Sequence, residues 1–136
     1  MDNQLYTKYK GNLLNEHLID MFTDLLLVDE VNVKIFMYVG QKMLKAMDPS
    51  DDTKLGATVN GMVKDIKILR PVKGRAGTYE QVLTNIDRKR AERAVQSLLM
   101  TGLCYYEAVG KTKVIYCTDR GNQVLRHIHK KQQEKR

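Results

Sequence analysis

The chain has 136 residues, enough for one domain with a substantial core. With 43% hydrophobic residues and a formal net charge of +7, it is not a disordered composition, and it favours a polyanionic partner such as nucleic acid or an acidic membrane surface. No apolar run reaches the roughly 20 residues that span a bilayer, MDNQLYTKYKGN lacks the apolar centre of a signal peptide, and two cysteines make no disulfide framework, so a soluble, reducing, cytoplasmic setting is expected.

From Leu13 onward, residues fall in pairs four apart: Leu13/Leu14, His17/Leu18, Met21/Phe22, Leu25/Leu26. This is one face of a helix, with Asn12 as its expected N-cap. A second helix is expected from Asp29 or Glu30, burying Ile35, Phe36, Val39, Met43, Leu44 and Met47. Asp48-Pro49 ends it, because proline disfavours the helical conformation in the residue before it. The following DPSDDTKLGAT reads as a polar loop, and Val59, Met62, Val63 and Ile66 suggest a third helix despite Gly61. RPVKGRAG, residues 70–77, reads as a flexible basic loop.

Thr78-Tyr79-Glu80-Gln81 matches a capping box, and Tyr79, Val82, Leu83 and Ile86 then share one side of a short helix. Asn85 tolerates the left-handed conformation that ends helices, and Asp87 is placed to cap the next one. In that next helix Ala91, Ala94, Val95 and Leu98 form the inward face, and Gly102 stops it. Leu103–Val109 and Thr112–Cys117, joined through Gly110-Lys111, read as a β-hairpin. A two-residue turn there sets Val109 opposite Thr112 and Cys104 opposite Cys117. Thr118 caps a last helix through Val124, Leu125 and Ile128, which leads into the basic tail HKKQQEKR, expected to fray.

Helix, tight turn, helix and two-stranded hairpin is the winged-helix layout. The segment AERAVQSLLMTGLCYY…VGKTKVIYCTDRG resembles winged-helix regulators of the MarR-like type, with Leu98, Gly102 and Leu103 matching the end of the reading helix and Thr118 and Gly121 a Thr-x-x-Gly pattern after the wing. The resemblance covers residues 78–128. The wing is short and has no Asp-x-Arg motif, and about thirty residues separate the second helix from Thr78, so the resemblance is to the superfamily and not to one family within it. Phage and plasmid replication and partition proteins use the same module, and some winged helices bind only protein.

The fold class expected is therefore mainly α with a small β-hairpin wing, an α+β winged helix-turn-helix with added N-terminal helices and a C-terminal helix. Residues 12–47 hold the N-terminal helices, 48–77 a helix and the basic loop, 78–101 the helix-turn-helix, 103–117 the wing and 118–130 the final helix. The resemblance implies a sequence-specific double-stranded DNA-binding protein, a transcriptional regulator in the cytoplasm at the nucleoid, with the helix over 88–101 in the major groove. The helical wheel turns Arg88, Lys89, Glu92, Arg93 and Gln96 outward and leaves Arg90 at the boundary. Arg and Lys pair with guanine and Gln with adenine, while groups near the helix start suit phosphate. Thr78 and Asn85 join this expected DNA-binding set, as do Lys111 and Lys113 on the wing and Lys73 and Arg75 on the basic loop.

The first helix is too apolar for full exposure: either it packs with the second helix on the core, or part of it faces a second copy, and Leu14, Leu18, Met21, Phe22 and Leu25 are the residues expected to pair two copies into a homodimer. No enzyme activity, cofactor or metal is expected. Gly110-Lys111-Thr112 lacks the first glycine of a phosphate-binding loop, His127 and His129 face different ways on a helix, and Cys104 and Cys117 read as small core residues.

Overall fold

The computed structural model describes residues 11–47 and 56–134, together with Lys8. Helix α1 (Glu16–Leu27) is capped by Asn15, whose side chain accepts the Leu18 amide at 2.9 Å. The cap expected at Asn12 thus falls three residues later, and Leu13 and Leu14 precede the helix. Leu14 is tied to the far end of the chain: its amide donates to Gln123 Oε1 at 2.9 Å, and Gln123 Nε2 donates back to the Leu14 carbonyl at 3.3 Å.

Helix α2 (Glu30–Met47) starts at Asp29, whose Oδ1 accepts the Val31 amide at 2.9 Å. Ile35, Phe36 and Val39 are fully buried, as the periodicity requires. Met43 packs on the core, but Leu44 is 69% exposed, because Met43 one position earlier takes the inward side. The expected burial of the Met47 side chain and the polar loop over 48–55 lie outside the described residues. The end of that stretch is not loop: Gly56 and Ala57 are buried, and the Ile115 amide donates to the Ala57 carbonyl at 2.8 Å.

Helix α3 (Val59–Asp65) is short, capped by Thr58 through the Gly61 amide at 3.0 Å and anchored by buried Met62. A Cβ at Gly61 would stand 2.7 Å from the Tyr38 hydroxyl, so that side chain would have to shift to admit one. That hydroxyl donates to Asp65 Oδ2 at 2.8 Å. Burial, reinforced by the adjacent Asp65 carboxylate, pushes the phenol's pKa above its ordinary range.

The largest departure comes next. Neither the flexible loop over 70–77 nor the helix over 79–86 forms. Lys67–Lys73 is strand β1 and Tyr79–Asn85 is strand β2, paired antiparallel from Lys67↔Asn85 to Lys73↔Tyr79, with a turn of 3₁₀ helix at Arg75–Gly77. Thr78 therefore caps no helix; its hydroxyl donates to the Arg75 carbonyl at 3.4 Å within the turn. Asn85 ends no helix either, but its amide donates to the last carbonyls of α3, Val63 at 2.9 Å and Lys64 at 3.3 Å. The base of this arm is closed by buried Ile66 and Ile86, joined by a 3.0 Å backbone bond.

Helix α4 (Arg88–Met100) begins at Asp87, which holds the N-cap position without a side-chain bond to the helix. Ala91, Ala94, Val95, Leu98 and Leu99 are its buried residues. Strands β3 (Cys104–Val109) and β4 (Thr112–Cys117) pair in the expected register, Val109↔Thr112 and Cys104↔Cys117, around Gly110 at φ +63°. Ala57 bridges the outer side of β4.

Helix α5 (Asp119–Glu134) runs to Glu134, so the tail expected to fray is helical through its first residues. Against α1 it sets His127 Nε2 2.6 Å from Asp20 Oδ1 and Lys131 Nζ 3.0 Å from Asp24 Oδ1. Thr118 caps α5 through the Gly121 amide at 3.0 Å and donates to the Gly102 carbonyl at 2.7 Å. The chain is thus α+β: among the described residues, five helices and two two-stranded sheets, with no helix long and apolar enough to cross a membrane.

A Cβ at Gly121 would stand 2.0 Å from the Leu103 carbonyl oxygen, a backbone atom that cannot swing aside. We expect Gly121→Ala to destabilise the protein by about 2–3 kcal/mol, read as a lowered urea midpoint.

Candidate nucleic-acid interface

The buried stripe of α4 dictates what its other side presents. With Ala91 and Ala94 almost completely buried and lacking any reach beyond Cβ, the helix lies close to the body, and Arg88, Lys89, Glu92, Arg93 and Gln96 all face outward and exposed. The first turn of α4 contains no acidic residue. A helix N-terminus carries partial positive charge, so basic residues there cost up to about 1 kcal/mol each instead of stabilising the helix. Asp87 at the N-cap, Glu92 beside Arg88 and Asp29 beside Arg90 offset part of that cost, and the exposed amides of the same turn are suited to receive a further anion.

Arg88 is held in place by two neighbours. Its Nη2 bonds the Asn60 side chain of α3, and its Nη1 lies 3.8 Å from Glu92 Oε1. Asn60 thus aims a guanidinium that stays half exposed, a role that the sequence reading missed because Asn60 and Arg88 lie far apart in the chain. Lys89, Glu92, Arg93 and Gln96 line an open shallow surface beside it.

The β3–β4 hairpin closes the other side. Lys111, Thr112 and Lys113 line the same cleft as Arg88, Glu92, Gln96 and the start of α3 at Thr58–Asn60. Lys113 Nζ lies 4.8 Å from the centre of the Tyr106 ring, which steers the ammonium without neutralising it. Tyr105 and Tyr116 stack at the base of the hairpin with ring centres 5.4 Å apart.

Arg90 does not join this surface. Its guanidinium bonds Asp29 Oδ2 at 2.7 Å, and Asp29 uses its other oxygen to cap α2. Arg90 holds the boundary position read from the helical wheel, its side chain 40% exposed and paired with Asp29 in a contact that ties α4 to the start of α2. Asn85 is exposed, with its side-chain amide donating to the Val63 carbonyl at the end of α3. Lys73, Arg75 and Thr78 lie together at the tip of the β1–β2 arm, all exposed, and Lys67 and Arg70 extend the basic strand toward its base.

Cys104 and Cys117 are free, buried and directly opposed. Burial, with the Cys117 thiol alongside, pushes the Cys104 thiol well above its usual pKa and so suppresses the reactive thiolate. Among the described residues no group of three or more His, Cys, Asp or Glu side chains is placed to hold a metal ion.

No known family model, curated protein or solved structure matches this chain.

Two outcomes test these placements. Arg90→Ala should lower stability by about 0.5–1 kcal/mol, the range of a partly exposed ion pair, with helix content retained in the circular dichroism spectrum. In native protein at pH 8, neither cysteine should take up iodoacetamide at the rate of a free thiol, whereas both should react at once in denaturant; mass spectrometry reads the difference.

Proposed function

We propose that this chain is a winged-helix protein that binds double-stranded DNA as a homodimer in the cytoplasm, acting as a transcriptional regulator that reads a pseudo-palindromic site without chemistry. The succession of α2, the Ala57 bridge, α3, α4 and the β3–β4 hairpin supports the winged-helix reading, with the turn between the paired helices α3 and α4 expanded into the β1–β2 arm. The observation that carries the function is the uncovered basic start of α4, flanked in one concave surface by the wing-tip lysines.

In this reading Arg88, Lys89, Arg93 and Gln96 enter the major groove, where Arg and Lys pair with guanine O6 and N7 and Gln with adenine. Lys111 and Lys113 lie on the adjoining backbone or minor groove, and Lys73, Arg75 and Thr78 reach phosphate from the arm. Glu92, within the basic face, penalises approach to phosphate and accepts from a cytosine amino group, which favours a base-reading role for its neighbours.

The dimer contact proposed for α1 is narrower than its apolar face. Leu14 and Phe22 pack on the core, while Leu18, Met21, Leu25 and Val28 form an exposed stripe at helical spacing, Leu25 being 60% and Val28 84% exposed.

The test begins with duplexes selected from a random-sequence pool, followed by fluorescence anisotropy. Arg88→Ala or Arg93→Ala should cost about 1–3 kcal/mol on the selected site and relax its specificity. Lys111→Ala should weaken all duplexes evenly. If the dimer neutralises about six to ten phosphates, affinity should drop on the order of 10³–10⁵-fold between 50 and 200 mM salt. Unchanged affinity in an Arg88/Lys89/Arg93 triple alanine variant, or no salt-dependent binding at all, would remove the DNA-binding reading and leave a protein-docking winged helix in its place.

A further inference from the structure

Directly opposed residues of an antiparallel ladder point to the same face. In the β1–β2 arm the register runs from Lys67↔Asn85 to Lys73↔Tyr79, so the odd-numbered residues of both strands share one face and the even-numbered ones the other. The even face turns to the body at its root, where Ile68 packs on the core and Thr84 is half-buried. Every residue of the odd face is exposed, Leu69 and Leu83 each by 61%.

The two faces differ in charge. Between residues 67 and 85 stand four basic residues and one acidic residue, Glu80. Glu80 is on the even face, opposite Val72 and diagonal to Arg70. The odd face carries Lys67 at the root, Lys73 at the far end and no carboxylate, and Arg75 follows in the turn. Leu69, Leu83 and Pro71 lie between the two lysines, with Gln81 across from the proline. Cations at both ends and apolar groups in the middle match a duplex minor groove, which has a phosphate backbone on each side and sugars and base steps between.

The root of the arm also adjoins the basic helix. Ile86, whose amide donates to the Ile66 carbonyl at 3.0 Å, directly precedes Asp87, the N-cap of α4. The six steps from Lys67 to Lys73 carry the arm about 20 Å. With α4 in a major groove, the neighbouring minor groove lies about half a turn away, roughly 17 Å, and the next major groove a full turn away, about 34 Å. The arm is long enough for the first and too short for the second.

We propose that the odd face of the arm enters the minor groove flanking the site, with Lys67 and the Lys73–Arg75 end on phosphates of its two walls and Leu69, Pro71 and Leu83 wedged against the base steps between them. The inference rests on the duplex-binding reading of α4 and adds to it a second groove and a deformation. A minor groove is about 6 Å wide, while the two strands of a ribbon are already about 4.8 Å apart before their side chains are counted, so the groove must open to admit the arm. Opening by apolar wedges bends the duplex toward its major groove.

Replacing both leucines by threonine tests this, because threonine keeps the strand preference and removes the wedge. Both side chains are exposed in the free protein, so Leu69→Thr/Leu83→Thr should fold as wild type does, read by circular dichroism. On the selected duplex, hydroxyl-radical cleavage should show sugars protected about half a turn from the bases read by α4, and fluorophores on the two duplex ends should approach each other on binding. The double variant should lose both signals and bind about tenfold more weakly, while the bases preferred by α4 stay the same. The proposal is overturned if wild type leaves the flanking sugars unprotected or the duplex straight, or if the double variant keeps the wild-type footprint and bend. Either result, with binding still lost in the Arg88/Lys89/Arg93 triple alanine variant, leaves the α4 reading standing; a wild type that binds no duplex overturns both. Vesicles of phosphatidylserine and phosphatidylcholine supply the other anionic surface. Co-sedimentation with them that the double variant loses, beside an unchanged duplex footprint, would assign the face to lipid and overturn the proposal.

Discussion

Everything at the basic surface depends on how closely α4 lies against the rest of the molecule. Ala91 and Ala94 stand where that helix meets its neighbours, and their small side chains set a short separation that Val95, Leu98 and Leu99 then fill. The rotation of the helix is fixed by this stripe. Arg88, Lys89, Arg93 and Gln96 are thereby turned outward together, without any bond having to hold each one there. The Arg90–Asp29 pair fixes the same rotation from the side, and Asp29 couples it to the start of α2. A larger residue at position 91 or 94 would shift the whole basic surface.

Two hairpins leave this centre, and the chain treats their edges differently. The β3–β4 hairpin is covered on its outer side by Ala57, anchored at its base by Thr118, and closed over the core by Cys104 and Cys117. Its base is part of the body, Tyr105, Tyr106, Glu107 and Tyr116 are half-buried, and the lysine-bearing end over 108–113 is exposed. The β1–β2 arm touches the body mainly at its root, through Ile66, Ile86 and the Asn85 cap on α3, and from there both its faces are largely exposed. An element that buries so little of its own surface gains little from its own contacts, which makes its basic residues and its uncovered face its principal features.

Charge is likewise divided by location. The α1–α5 packing sets His127 beside Asp20 and pairs Lys131 with Asp24. Surface pairs of this kind add little stability individually but set how the two helices lie together. On α4 basic groups gather at the helix end where the backbone already favours anions; Arg88 and Arg90 meet Glu92 and Asp29, while Lys89 and Arg93 face outward.

Much of this was readable from the chain. Period and spacing located α1, α2, α4 and α5, the outward set on α4, and the β3–β4 register down to Cys104 opposite Cys117. Each of these depends on interactions within a few turns or across a two-residue turn, so local sequence carries the information. Residues 70–86 were misread for a definite reason. Tyr79, Val82, Leu83 and Ile86 satisfy helical spacing as well as a strand does, and Pro71 with two glycines reads as a loop. What decides between them is whether residues 67–73 lie alongside 79–85, and strand pairing of that kind is rewarded only once both partners and the Ile66–Ile86 closure are in place. The same is true of Arg88 on Asn60, Arg90 on Asp29 and Leu14 on Gln123. The sequence by itself determined which face of each helix is apolar and where its charge lies; only the tertiary structure decided which of those charges are spent on neighbours and which are left for a partner, because that depends on distances between residues far apart in the chain.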